Sequence, residues 1–247
     1  MVTFLITSGP TTEYIDPVRF ISNASSGKMG FELASYAKKA GNNVILISGN
    51  QNPPKISGVK TITVVSALDM FKKVKANIVK ADIFISAAAV ADYRPLRTEK
   101  NKIKKSKNTT VLKLVKNPDI LKEVSLKNKN KIMVGFCLES KNLFKSALKK
   151  LEDKRLDLIV ANPVKAINSD YSDAVIISRK FKVPSPLMGE GKGESYSKSY
   201  TPHLNPLPQG ERKCRFMKIA LKNKSKKEIA KRIIDESLRI FKNRKAC

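Results

Sequence analysis

Short apolar runs alternate along the chain with segments whose apolar residues recur every three or four positions, the rhythm of strands followed by amphipathic helices. Residues 2–8 predict a buried first strand, followed by a long polar loop and a helix over 26–40. In that helix Met29, Leu33, Ala37 and Ala40 share one face, and Gly41 stands where a C-terminal cap belongs. Residues 43–48 and 60–65 predict the next two strands. Ser66, with Asp69 three residues on, opens a helix whose inward stripe reads Leu68, Phe71, Val74 and Ile78. Residues 82–90 are apolar throughout, as a central strand covered on both faces requires.

The second half continues the pattern. A strand is expected at 111–115 and a short helix at 118–125 with Pro118 in its first turn. Strands at 131–138 and 156–161 flank a helix at 142–154, and a strand at 174–178 is expected to pair with 216–221. Ser225, with Glu228 three residues later, starts a C-terminal helix that turns Ile229, Ile233 and Leu238 inward. This succession predicts an α/β fold: one Rossmann-like domain over 1–247, its mostly parallel sheet carrying helices on both faces.

Residues 183–213 break the rhythm. They hold five of the 12 prolines, four of the 11 glycines and the only histidine, His203. Their ends echo each other, with Pro-Leu-Met-Gly-Glu-Gly from Pro186 and Pro-Leu-Pro-Gln-Gly-Glu from Pro206. The expectation is a flexible in-frame insertion, derived from a mobile repeat element and without catalytic role.

Composition narrows the function class. Forty-nine Lys and Arg against 21 Asp and Glu give a net charge of +28, which invites a nucleic-acid reading. The lysines are spread through nearly every segment, however, aromatic residues are only 6% and Trp is absent, so little is available for base stacking. A basic surface still attracts anionic small molecules. No apolar run approaches the roughly 18 residues of a membrane span, and the N-terminus lacks a signal-peptide pattern. Cys137, Cys214 and Cys247 show no disulfide or metal spacing. Together these predict a cytoplasmic protein without membrane attachment.

The chemistry concentrates early. Gly9, Gly27 and Gly30 are too widely spaced for a dinucleotide fingerprint. Ser25, Ser26, Gly27 and Lys28 instead place small side chains and free N–H groups at a helix N-terminus, where an anion is favoured. With His203 inside the insertion, Ser–His or Cys–His catalysis has no base, and no Cys/His cluster suggests zinc. Cys137 reads as a buried structural residue.

The stretch from Ile15 to Gly30 (Ile-Asp-Pro-Val-Arg-Phe-Ile-Ser-Asn-Ala-Ser-Ser-Gly-Lys-Met-Gly) resembles the signature of phosphopantothenate–cysteine ligases. The resemblance extends in order through Ala87–Arg94, Lys102–Lys105, Val115–Ile120, Val134–Phe136 and the strand end at Ala161 and Asn162. It covers about residues 1–180 and resumes at 216–241.

The family resemblance implies a bacterial-type enzyme using CTP and Mg²⁺ to join 4'-phosphopantothenate to cysteine through an acyl-cytidylate. It also implies a homodimer. Many relatives carry a fused flavin-dependent decarboxylase; with Met1 directly before the first strand, that step is expected to fall to a separate protein. Asn23, Arg19 and Lys102 match the family's catalytic residues. Ser86, Ala87, Ala88, Asp92, Lys102, Pro118, Asp119, Ile120, Leu121, Phe136, Lys150 and Lys154 match its nucleotide site, while Ser25–Lys28 form the substrate-phosphate loop. The metal ligands are not indicated. Thr12 and Ala24 stand where cationic residues are frequent in the family. A nicotinamide-dependent reductase is the rival enzyme reading, disfavoured by the missing glycine fingerprint and Tyr-x-x-x-Lys dyad. A basic nucleic-acid-binding protein without catalysis is the other.

Overall fold

The computed structural model describes residues 1–104, 109–139, 142–166, 169–179 and 216–246. Its chain runs through β1 (Thr3–Ser8), β2 (Thr12–Tyr14), β3 (Phe20–Ser22), α1 (Lys28–Lys39), β4 (Asn43–Ser48), β5 (Lys60–Thr63), α2 (Ala67–Asn77) and β6 (Ile83–Ser86). It continues with β7 (Tyr93–Pro95), β8 (Leu114–Lys116), α3 (Ile120–Lys127), β9 (Ile132–Glu139), α4 (Leu143–Asp153), β10 (Leu158–Pro163), β11 (Tyr171–Arg179), β12 (Phe216–Ser225) and α5 (Lys226–Lys245).

Eight strands form one sheet in the order β12-β11-β10-β9-β6-β1-β4-β5. From β10 to β5 every neighbouring pair is parallel, while β10–β11 and β11–β12 are antiparallel. This is the expected mostly parallel, Rossmann-like sheet. The chain winds outward from β1 through β4 to β5, then returns to the other side of β1 with β6. The strand order therefore reverses between β1 and β6, where a crevice opens beyond the C-terminal strand ends.

Helices cover both faces. On one side α1 and α5 pack Leu33, Ala34, Ala37, Ile229, Ile233 and Ile234 against Phe4, Ile6, Ile83 and Ile85. On the other, α2, α3 and α4 bring Met70, Val74, Leu121, Val124, Ala147 and Leu151 onto Leu5, Phe84 and Met133. The fully buried Ile229, Ile233, Ile234 and Ile240 each contribute about 1.5–3 kcal/mol of burial, which fastens α5 to the sheet. Both expected capping boxes form, Ser66 with Asp69 and Ser225 with Glu228.

Several expectations shift. Ala40 is exposed because α1 ends at Lys39, although Gly41 does follow with φ +78°. The inward face of α2 is Ala67, Met70, Val74 and Asn77; Leu68 and Phe71 are only half-buried. The strand expected over 82–90 stops at Ser86. Beyond it the chain bends across β1's loop, where the Ala89 N–H donates to Gly9 O (3.0 Å) and Thr11 N–H to Ala89 O (3.2 Å). Pro118 precedes α3 instead of opening it, because the Asp119 carboxylate caps the helix by accepting from the Lys122 N–H (3.0 Å).

The strand expected at 111–115 forms only from residue 114, as β8, paired with β7 outside the main sheet, and β2–β3 forms a second small hairpin. β11 and β12 pair as expected, with Arg179 opposite Phe216. The expected insertion at 183–213 lies outside the described residues.

Candidate functional site

The crevice owes its shape to two glycines where α1 meets β1. Gly27 has φ +75°, and a Cβ there would lie 2.9 Å from Gly9 Cα. A Cβ on Gly30 would lie 2.4 Å from Ser8 Cβ. Only glycine allows this approach of backbone to backbone. Ser8 Oγ then donates to Gly27 O (2.9 Å), tying the start of α1 to the end of β1. Ser25 Oγ accepts from the Gly27 N–H (3.3 Å) and Ser26 Oγ from the Lys28 N–H (3.4 Å), while Gly27, the N-cap of α1, offers no side chain.

A cavity of about 460 Å³ opens over these strand ends. Asn23, Ser25, Ser26, Gly27 and Lys28 form one wall, Ala87, Ala88 and Asp92 a second, and Phe136 lies toward the third. The Asn23 amide Nδ2 donates to Ala89 O (3.0 Å), so the loop before α1 is fastened to the loop after β6. Small residues at 87–89 leave the backbone accessible, and Asp92 is exposed at the rim. A larger cavity of about 690 Å³ lies beside it between α1 and residues 50–56, sharing only Ser26 and Lys28 with the predicted set. Volume alone does not locate the chemistry here.

The remaining expected site residues do not line the crevice. Ser86 sits inside β6 opposite Thr7 and Gly135. Arg19 and the segment that carries Lys102 meet elsewhere. The buried Asp16 carboxylate accepts from the Val18 and Arg19 N–H groups (both 2.8 Å) and from Arg19 Nε (2.9 Å), and Arg19 Nη2 donates to Ile103 O (2.9 Å). Burial alone would raise the Asp16 carboxyl, but these donors, with the Ile103 N–H, hold it well below the usual carboxylate range. Arg19 thus clamps the segment carrying Lys102 to the β2–β3 hairpin. Lys105, at the end of the expected Lys102–Lys105 motif, lies outside the described residues.

Pro118, Asp119, Ile120, Leu121, Lys150 and Lys154 form a separate group on the α3–α4 face. Lys154 Nζ pairs with Asp119 (2.7 Å) and Lys150 Nζ with Glu139 (2.9 Å), while Ile120 and Leu121 are buried core. Burial opposes the Lys150 charge, yet the Glu139 hydrogen bond and the neighbouring Cys137 and Glu139 push its pKa up overall. The same bond lowers Glu139. Cys137 is buried, as expected, and desolvation pushes its thiol up despite Lys150.

Comparison with known proteins places this geometry. The model of the DNA/pantothenate metabolism flavoprotein C-terminal domain family matches residues 2–192. The chain belongs to this family. Among curated relatives, the coenzyme A biosynthesis bifunctional protein CoaBC of Borreliella burgdorferi is 45% identical over 179 residues, covering 71% of this chain and 46% of that protein. The Haemophilus influenzae protein of the same name is 49% identical over 160 residues, 64% of this chain and 40% of its own.

The chain spans less than half the length of these relatives. The crystal structure of the C-terminal domain of a CoaBC protein superposes with TM-score 0.71 at 31% identity, covering 97% of this chain and 95% of that one. That domain therefore shares the fold of this sheet.

Sequence reasoning missed part of the crevice lining. Asn162, already singled out at a strand end, lines it, as do Leu138, Ala166 and Lys226. Lys226 Nζ donates to Ala166 O (3.1 Å) and its backbone N–H to Asp170 O (3.0 Å). Lys28 Nζ bonds the Asp170 carboxylate, which raises the lysine's pKa and lowers that of the acid. Burial, and next the charge of Lys28, lowers the pKa of Lys226, against the pull of Asp170. One signal was available: a lysine in the first turn of a helix opposes the macrodipole and calls for a local reason.

Proposed function

We propose that this chain is a phosphopantothenate–cysteine ligase, joining 4'-phosphopantothenate and cysteine in coenzyme A biosynthesis at the expense of CTP. The observation that carries the reading is the crevice at the strand-order reversal. It gathers Asn23, the 25–28 loop, Ala87, Ala88, Asp92 and Phe136 in a chain whose family relatives are named for coenzyme A biosynthesis.

In this reading the acid's carboxylate attacks the α-phosphate of CTP, forming an acyl-cytidylate and releasing pyrophosphate. The cysteine amine then attacks the acyl carbonyl, loses a proton and expels CMP. Activation is required because a carboxylate oxygen is a poor leaving group, whereas a nucleoside phosphate is a good one. The 25–28 loop holds the acid's phosphate at the start of α1. Small residues at 86–88 let the nucleotide approach the backbone, and Phe136 supports it. Asn23 donates from its amide to the activated carbonyl, leaving Ala89 O for the purpose, and stabilises charge developing there.

The groups outside the crevice act on the nucleotide from neighbouring surfaces. Residues 118–121 read the cytosine. Lys150 and Lys154 exchange Glu139 and Asp119 for the triphosphate, while Arg19 and Lys102 complete the catalytic set. Among the described residues no group of three or more His, Cys, Asp or Glu could cage a metal. The donor set instead suits Mg²⁺, which takes one or two carboxylates and completes its shell with phosphates and water. Asp92 would hold it, and when bound it neutralises triphosphate charge.

We further propose a cytoplasmic homodimer, supported by the exposed Tyr14, Val18, Phe20, Tyr93, Leu96 and Leu114 on the two small hairpins. No helix among the described residues is long and apolar enough to cross a membrane.

Asn23→Ala tests the assignment. Amide formation from 4'-phosphopantothenate, cysteine and CTP should fall by about 10²–10³-fold, the usual loss of an oxyanion donor, with the fold intact by circular dichroism. Undiminished amide formation would remove Asn23 from the mechanism.

A further inference from the structure

One corner of the crevice holds two lysines from opposite ends of the chain. Lys28 opens α1 and Lys226 opens α5, and both line the cavity. Their helices share one core through Leu33, Ala37, Ile229 and Ile233, so the two helix starts are held in place relative to each other. Asp170 organises the pair: its carboxylate receives Lys28 Nζ and its backbone carbonyl receives the Lys226 N–H (3.0 Å).

Among the described residues at this corner, two ammonium groups share the one Asp170 carboxylate. Lys226 is half-buried, and the acceptor for its Nζ is a neutral carbonyl, Ala166 O at 3.1 Å. A cation held in that way gains most from an anion that brings its own negative charge into the cavity.

We propose that Lys226, acting with Lys28, anchors a phosphate monoester dianion, and that this phosphate belongs to the acid substrate and not to the nucleotide. The inference rests on the ligase reading of the same crevice and adds to it a specificity-determining residue on the last helix. The cavity wall explains the choice of source. Lys226 is tied through Asp170 to Lys28 of the 25–28 loop, whereas Asp92, proposed for the nucleotide, stands on the separate loop after β6. Such an anchor would discriminate 4'-phosphopantothenate from pantothenate, which lacks the phosphate.

The test uses the full chain and its Lys226→Met and Lys226→Arg variants, with pyrophosphate release as the assay. A charge-assisted phosphate contact of ordinary strength predicts that Lys226→Met raises KM for 4'-phosphopantothenate about 10- to 100-fold. Its kcat should fall far less and KM for CTP should stay put. The preference over pantothenate should shrink by the same factor, and Lys226→Arg should restore most of it. Unchanged KM for the acid, or a rise in KM for CTP instead, would overturn the assignment.

A second measurement separates this idea from the ligase reading itself. If the parent protein releases no pyrophosphate, titration of methyl phosphate by calorimetry decides the anchor alone. Saturable binding lost in Lys226→Met supports it, and equal binding or none in both proteins refutes it.

Discussion

Replacing Gly30 by alanine should damage the crevice without unfolding the protein. The added Cβ would stand 2.4 Å from Ser8 Cβ, 2.5 Å from Ser8 Oγ and 2.9 Å from Ser8 Cα, where ordinary contact begins at 3.4 Å. The obstacle is the root of a buried strand residue, so α1 has to retreat by about 1 Å at its first turn. Overpacking of this kind costs about 1–3 kcal/mol, and alanine returns about 1 kcal/mol through helix propensity. The net loss should therefore be about 0–2 kcal/mol, readable as a lower urea midpoint at unchanged slope.

Turnover should suffer more, because a displacement of about 1 Å in a positioning element can cost about 10²-fold. Gly41→Ala supplies the comparison. It meets nothing within 4 Å but imposes φ +78° on an alanine, a strain of about 1–2 kcal/mol, roughly 16 Å along the helix from Gly30. The two variants should lose similar stability, yet only Gly30→Ala should lose pyrophosphate release. Wild-type turnover in Gly30→Ala, or equal loss in both, would refute the claim that α1's approach to β1 sets the site.

Further outcomes follow from the frame around the crevice. Arg244→Met leaves the buried Asp157 carboxylate without its ion-pair partner, which should cost about 3–5 kcal/mol at neutral pH in urea melts. Burial already raises Asp157 above its usual value against Arg244; without Arg244 the folded state takes up a proton more readily than the unfolded, so the deficit should shrink as pH falls below neutral. A deficit independent of pH would contradict this. Glu228, lowered by its Lys224 and Ser225 hydrogen bonds from 4.5 to about 2, contributes stability above pH 4.5 that is lost as pH falls toward 2; Glu228→Gln should flatten that part of the acid-stability curve. Because Arg179 and Phe216 are register partners, replacing residues 180–215 by a short hairpin turn should leave pyrophosphate release intact, and complete loss would assign that segment a catalytic or architectural role.

The strand–helix succession was legible because both periodicities are strong: Leu33 and Ala37 on α1, or Ile229 and Ile233 on α5, can face only a core. The offset in α2 arose because Leu68, Phe71, Met70 and Val74 allow two overlapping apolar stripes, and only packing against Leu5 and Phe84 chooses between them. Strand β6 is shorter than its apolar run because Ala87, Ala88 and Ala89 suit a tight loop against Gly9 as well as a buried strand. For the site, local sequence carried Asn23 and the 25–28 loop, which are consecutive. Lys226 and Asn162 reach the crevice only through long-range topology. The separation of Lys150 and Lys154 from the crevice was equally hidden, since helical spacing gives a shared face but not which side of the sheet that face meets.

The central claim is tested most directly by pyrophosphate release from the purified protein supplied with 4'-phosphopantothenate, cysteine and Mg²⁺, with CTP compared against ATP. The account predicts release that requires 4'-phosphopantothenate and is greater with CTP. Folded protein that releases no pyrophosphate with either nucleotide would contradict it.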